Sequence, residues 1–201
     1  MVNNKSLRFK CIHCGNCCKD QNTFINLTFH DILLIKKGLG LTLEETIQMI
    51  GFYLFEKGFN EKELKRMVIS PLETEKGLAF LGLLKNQDGS CFFYNIKEKR
   101  CSIYPLRPIF CKTFPFTFKK INNLELEIFY TEKAKDYCLG IGKDAPEIDS
   151  KEWFILGNNV LNNIKENQIF ITNWNRLVNK GKISPTVKNL ILSILNIASD
   201  N

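Results

Sequence analysis

Apolar residues recur every three or four positions in some stretches of this chain and every second position in others, so helices and strands can be placed before any chemistry is considered. Thr28 stands before "FHDILLIKKGL" and predicts a capped helix that Gly38 or Gly40 ends. Thr42 and Glu45 have the spacing of a capping box, which predicts a second helix through "TIQMIGFYLFEKG". "EKELKRM" predicts a third, short one before Pro71. Asp149 or Ser150 caps a helix from Trp153 to about Ile171. Ser184 and Pro185 open a last helix, on which Val187, Leu190, Ile191, Ile194 and Leu195 share one face.

Between the two helical blocks the texture changes. "LAFLGLLK" and "CFFYNI" read as short strands separated by the turn signal "NQDGS". "TFPFTFKK" and "LELEIFYT" flank Asn122 and Asn123. In the second, Leu124, Leu126 and Ile128 alternate with Glu125 and Glu127, which predicts a hairpin with one buried face. The expected fold class is α+β: a single domain over residues 1–201, with helices around a small antiparallel sheet and a cysteine-ligated metal centre. Its motif core covers 11–140 and its C-terminal helices cover 149–198. No repeat, linker or low-complexity tract interrupts it.

Composition narrows the function classes. The 201 residues suffice for one hydrophobic core. The longest apolar run, "GLAFLGLL", is too short to span a bilayer, and the N-terminus lacks the apolar region of a secretory signal. The expectation is a cytoplasmic protein without membrane contact. The formal charge of +7 counts eight cysteines as neutral thiols. As metal-bound thiolates they would bring it to about −1, so the basic balance does not point to nucleic acid. Basic residues such as "KEKR" are scattered and carry no interleaved aromatics.

The cysteines carry the chemistry. Cys11, Cys14, Cys17 and Cys18 fall within eight residues, with polar Lys, His, Asn and Asp around them. That setting argues for metal binding over core packing. Three thiols at C-x-x-C-x-x-C spacing begin like the cluster-binding run of bacterial ferredoxins, though no Cys-Pro follows. A second set comprises Cys91, Cys101, Cys111 and Cys138, the first three evenly spaced as strand ends returning to one sheet edge would be. Cys91 begins the predicted strand "CFFYN", and the glycines of "YCLGIG" let the backbone near Cys138 approach a cluster. Eight thiolates are twice what one tetrahedral zinc or one four-iron cluster needs, so two centres or one larger assembly are expected. Cys17 would complete a triad with Cys11 and Cys14 while Cys18 turns to the second site. Arg107, held between Pro105 and Pro108, is expected to offset thiolate charge and to donate to sulfur, with Tyr104 and "FPF" shielding the site from water. His13 reads as an exposed spacer and His30 as a surface residue. No catalytic triad, phosphate loop, dinucleotide fingerprint or carboxylate pair offers a competing enzyme class.

"CIHCGNCC", "CFFYN", "CSIYPLRPIFCKTFPF" and "CLG" together resemble the CxxCxxCC cysteine-cluster family, also called YkgJ-like, from Cys11 to about Gly140. Ile103, Tyr104, Arg107 and Pro108 match its I-Y-x-x-R-P element. The resemblance implies zinc or iron chelation by Cys11, Cys14, Cys17, Cys18, Cys91, Cys101, Cys111 and Cys138, with Arg107 and Tyr104 beside the cofactor. Similar cysteine motifs occur in flagellin lysine N-methylases, where an iron–sulfur centre is implicated. The functional expectation is an iron–sulfur protein, of 4Fe-4S type with one or two clusters, in a redox or methyl-transfer role toward a protein partner or substrate. The alternative is a structural zinc module for protein interaction, without catalysis.

Overall fold

Thr28 opens the first long helix as its sequence predicts. The computed structural model describes residues 7–54, 68–122 and 125–199. Within them, a single turn α1 (Asn16–Lys19) precedes α2 (Phe29–Leu39) and α3 (Leu43–Gln48). Both longer helices start on complete capping boxes, Thr28 with Asp31 and Thr42 with Glu45, and α2 ends at Gly40 in the left-handed region (φ 65°). The second predicted helix stops far short of its expected end. From Ile50 the chain becomes β1 (Ile50–Leu54), because "IGFYL" finds an antiparallel partner in β3 (Gly77–Leu83), Ile50 opposite Leu83 and Leu54 opposite Ala79. The segment "EKELKRM" lies outside the described residues.

β3 is central to a three-stranded sheet with β1 on one side and β2 (Leu72–Thr74) on the other. The strands after it form no single meander. β4 (Tyr94–Asn95) pairs only with β5 (Arg100–Cys101), and β6 (Phe116–Lys120) with β7 (Leu126–Tyr130). The fold is α+β, with three small antiparallel sheets among the described residues where one was expected. The last hairpin keeps its predicted face: Leu126 and Ile128 are buried, while Asn123 and Leu124 fall outside the described residues. Between the sheets lie a 3-10 turn (Tyr104–Leu106), α4 (Ile109–Thr113) and α5 (Glu132–Tyr137).

The C-terminal helices are α6 (Ser150–Asn179) and α7 (Val187–Ser199). Asp149 accepts from Lys151 N and Glu152 N, and the 30 residues of α6 run ~45 Å, past the predicted end at Ile171. That length lets one helix serve two cores. Near its start, Trp153, Phe154 and Leu161 pack on Phe116, Leu126 and Ile128 of the last hairpin. A Cβ at Gly157 would stand 2.3 Å from a Leu126 methyl, so the hairpin sits directly on the helix backbone. Further along, Phe170, Ile171 and Trp174 join Ile32 and Ile35 of α2 and Leu190, Ile191 and Ile194 of α7. Polar side chains of α6 complete backbones that it buries. Asn167 Oδ1 accepts from Phe29 N (2.9 Å), an amide that the first turn of α2 leaves without a partner. Asn175 Oδ1 accepts from Glu73 N (2.8 Å) and the Trp174 indole donates to Glu73 O (3.0 Å), fixing β2. This frame holds the other half of the chain, where the cysteines lie.

Candidate metal centre

All eight cysteines line one cavity of about 430 Å³. Five separate pieces of chain bring them there, and each is held by an identifiable contact. The first piece turns at Gly15, whose φ of 72° and whose closeness to the Tyr94 ring (2.8 Å from a built Cβ) both exclude a side chain. That turn starts α1 and so presents Cys17 and Cys18.

The flanks of this piece pair with two different parts of the molecule. Upstream, Lys10 N donates to Gly140 O (3.0 Å), and Phe9 bridges to Ile141, which lays Cys11 beside Cys138. Asn16 Nδ2 donates to Tyr137 O (3.1 Å) and binds α1 to the end of α5, where Cys138 is the C-cap. Gly140 is needed here because a Cβ would stand 2.5 Å from Lys10 O. Gly140 was expected to let the backbone approach a cluster; what it approaches is the Cys11 segment. Downstream, Cys18 O accepts from Cys91 N (2.7 Å). Cys91 lies in an isolated bridge with Lys85 rather than at the head of a strand, and Cys101 faces Tyr94 across β4 and β5. Cys111 rides on the short helix α4, whose Ile109 N donates to buried Asp31 Oδ1 (2.8 Å). Even spacing of Cys91, Cys101 and Cys111 therefore does not mark one sheet edge: a bridge, a strand and a helix carry them.

The rest of the lining is mostly apolar. Phe114 and Phe116 line the cavity as expected of a shield, with Phe110 and with Val160, Leu161 and Ile164 from α6. Phe114 stacks on Tyr137 with centroids 5.7 Å apart, and Phe116 packs against Trp153 at 4.6 Å. Tyr104 and Arg107 also face this space. The guanidinium carbon sits 3.6 Å from the Tyr104 ring centroid and Nε donates to Tyr104 O (3.0 Å). Thus one donor expected for sulfur goes to a carbonyl, while the positive charge acts on Cys17, Cys101 and Cys111. His13 is exposed as predicted, and its ring also contacts Tyr104 at 4.4 Å between centroids. His30 pairs with Glu166 on α6 (2.6 Å), away from the thiols.

The neighbouring Cys18 thiol, and then the positive charge of Arg107, hold the thiol of exposed Cys17 down at about 7. Donating to Cys17 pushes Cys18 up correspondingly. Burial pushes Cys91 up to about 11 and raises Cys101, Cys111 and Cys138 as well. Thiols this crowded repel each other as thiolates, so a cation that binds them must displace their protons. Among the described residues, no three Cys, His, Asp or Glu side chains converge closely enough to hold a single ion. The donor set fits a thiolate-bound metal by its chemistry and by the shared cavity, with the sulfurs spread around the space rather than at one point.

Sequence reading missed α5 and the ion pair it makes, although Thr131 before "EKAKDY" is a helix-start signal. Lys133 of α5 pairs with Asp20 (2.5 Å), tying the segment after Cys18 to the helix before Cys138. Hydrogen bonds from Lys133 and Thr23 hold Asp20 down at about 2. Because the folded value lies below the ordinary carboxylate value, the pair contributes fully above about pH 4 and is lost as pH falls through 2. Asp20→Asn is expected to cost about 1 kcal/mol, given the exposure of Lys133. Thermal melts of both proteins should differ by a constant amount from pH 7 to about 4, and by less below it.

A cysteine-lined cavity at the junction of small sheets and helices defines a thiolate metal-binding domain. The model of the CxxCxxCC family, described as "Putative zinc- or iron-chelating domain", matches residues 10–139, a span that includes all eight cysteines. The chain belongs to this family. A curated relative, an uncharacterized protein of Methanocaldococcus jannaschii, is 27% identical over 135 residues, covering 67% of this chain. This chain spans 59% of that relative's length. No solved structure matches the chain. No described helix is long and apolar enough to cross a membrane.

Proposed function

We propose that this protein is an iron–sulfur protein whose eight cysteines ligate cluster iron, in a redox role. The observation that carries the reading is the convergence of all eight thiols on one cavity. One tetrahedral zinc needs four donors at about 2.3 Å from a single point. In a cubane each thiolate caps a different iron, so the sulfurs stand further apart, which suits a thiol-lined chamber. The bound group would supply one-electron chemistry.

The chain's own residues do the rest. The thiolates of Cys11, Cys14, Cys17, Cys18, Cys91, Cys101, Cys111 and Cys138 hold the iron. Arg107, steadied on Tyr104, offsets part of their charge. Phe114, Phe116 and the α6 side chains exclude water. Ile12 and Leu139, 54% and 64% exposed and next to Cys11 and Cys138 in the chain, suit a protein partner. Methyl transfer to a protein lysine is a narrower form of this function, and turnover with S-adenosylmethionine would mark it. A structural zinc module is the second reading, because an all-thiolate donor set suits both metals.

Anaerobic purification followed by iron, zinc and acid-labile sulfide analysis tests the proposal. Iron with matching sulfide, and a visible absorption that bleaches on reduction, is expected. Stoichiometric zinc without sulfide would overturn the iron reading and leave the structural module.

A further inference from the structure

We infer that, apart from any metal, the cavity seats a neutral, largely apolar organic ligand that gives one hydrogen bond to the side-chain amide of Asn26. Asn26 lines the cavity, and its Oδ1 is buried without a hydrogen-bond partner. Among the described residues no other buried side-chain nitrogen or oxygen is left in this state. An orphaned buried acceptor costs more than a lost hydrogen bond, so a native fold that keeps one has a use for it. The backbone around Asn26 is fixed. Leu27 N donates to Leu81 O and Leu83 N to Ile25 O, both at 3.0 Å, which brackets the pairing of Asn26 with Gly82. The side chain itself is half-buried, and the last torsion of an asparagine turns easily, so the carbonyl can swing to a donor in the cavity.

Part of the lining has nothing to offer a metal. Phe118 of β6 and Val160, Leu161 and Ile164 of α6 face the cavity from elements that contain no cysteine. The hydrogen bond between Asn167 and Phe29 joins α6 to the Asn26 segment, three residues along the chain from Ile164 and from Asn26. An apolar wall with an unspent amide beside it is the usual make-up of a small-molecule site, and about 430 Å³ lies within the usual size. Charge narrows the ligand. No carboxylate lines the cavity among the described residues, so an ammonium group would find no partner. Arg100 and Arg107 line it from the stretch that carries Cys91, Cys101 and Cys111, where thiolate charge would engage them before a ligand did. The ligand is therefore uncharged, and because an amide oxygen accepts, it brings an N–H or O–H. The inference goes beyond the iron–sulfur reading and holds for either metal, since it uses no thiol.

Calorimetric titration of the metal-loaded protein with indole and with indene tests this, because the two share one shape and only indole carries an N–H. Both should bind, indole about fivefold more tightly, the factor that one neutral hydrogen bond supplies. Asn26→Leu keeps the volume and removes the acceptor. Indene should bind to it as before, and the ratio of the two affinities should fall to about one. Its metal content should be unchanged and its thermal midpoint unchanged or higher, since a buried orphan has been replaced by an apolar group. Leu161→Trp fills space at the wall and should weaken both probes at least tenfold. The inference is overturned if the unaltered protein binds neither probe, if Asn26→Leu leaves the ratio in place, or if Leu161→Trp folds and binds both as before. Metal and sulfide analysis of the same samples keeps the two readings apart: zinc without sulfide would refute the iron reading and leave each of these expectations standing.

Discussion

Stripping the metal is expected to unfold the cysteine-bearing half of this protein and to leave the helical frame largely formed. Five pieces of chain meet at the cavity, joined mainly by polar contacts such as the amide bonds of Lys10 and Cys91, the Asn16 side chain and the Lys133–Asp20 pair. Crowded thiols add repulsion whenever they ionise. Metal binding at such a site is folding free energy, on the order of 10 kcal/mol for a structural thiolate site. Loss of it should lower the thermal midpoint by roughly 20 °C or more. Ile32, Ile35, Trp174, Leu190, Ile191 and Ile194 are essentially inaccessible in a core that Cys91, Tyr94 and Ile103 also enter, so the helices should lose some packing and still keep much of their circular dichroism. Hydrogen exchange should then show protection lost around residues 11–18, 91–111 and 138–141 and retained in α2, α6 and α7. Cys14→Ser and Cys111→Ser should each lose metal and stability together. Stable protein with full metal content in both variants would contradict their assignment as ligands.

Asp31→Ala should be among the more damaging changes outside the thiols, at about 3 kcal/mol. This carboxylate is 3% exposed and ties two elements. Its Oδ2 accepts from Thr28 N (2.9 Å) and from the Thr28 hydroxyl (2.8 Å), closing the capping box of α2. Its Oδ1 accepts from Ile109 N (2.8 Å), at the start of the helix that presents Cys111. Alanine would keep the amide that Thr28 caps but take the acceptor from Thr28 N and its hydroxyl and leave the Ile109 amide buried without one, and an orphaned buried donor costs more than a lost hydrogen bond gains. The thermal midpoint should fall by roughly 6–12 °C, with partial loss of metal from the centre that Cys111 serves. Asp31→Asn keeps one acceptor oxygen and should lose less on both measures. Unchanged metal content in Asp31→Ala would show that α4 holds Cys111 without this link.

Helix starts were legible because a capping box is written within four residues. Thr28, Thr42 and Asp149 all cap as their local sequence predicts. Ends set by distant partners were not legible. "IGFYL" continues an apolar pattern that suits a helix, yet it is a strand because β3 lies beside it, and nothing within those residues names β3. The same holds for Cys91, which hydrogen-bonds to Cys18 and bridges Lys85 instead of opening a strand. The turn α5 carried a readable signal in Thr131, and the strand texture around it masked that signal.

The amino-acid sequence by itself determined the eight cysteines and their spacing, the family that they mark and where the first helices of the frame start. Ligand type and spacing are chemical facts that survive without coordinates. Only the tertiary structure decided that all eight thiols share one cavity, that Tyr104 carries Arg107 at its wall, and that Cys138 sits with Cys11 while Cys18 sits with Cys91. Those pairings are made by backbone amides and carbonyls. Every residue but proline has both, so the sequence carries no mark of which ones will meet.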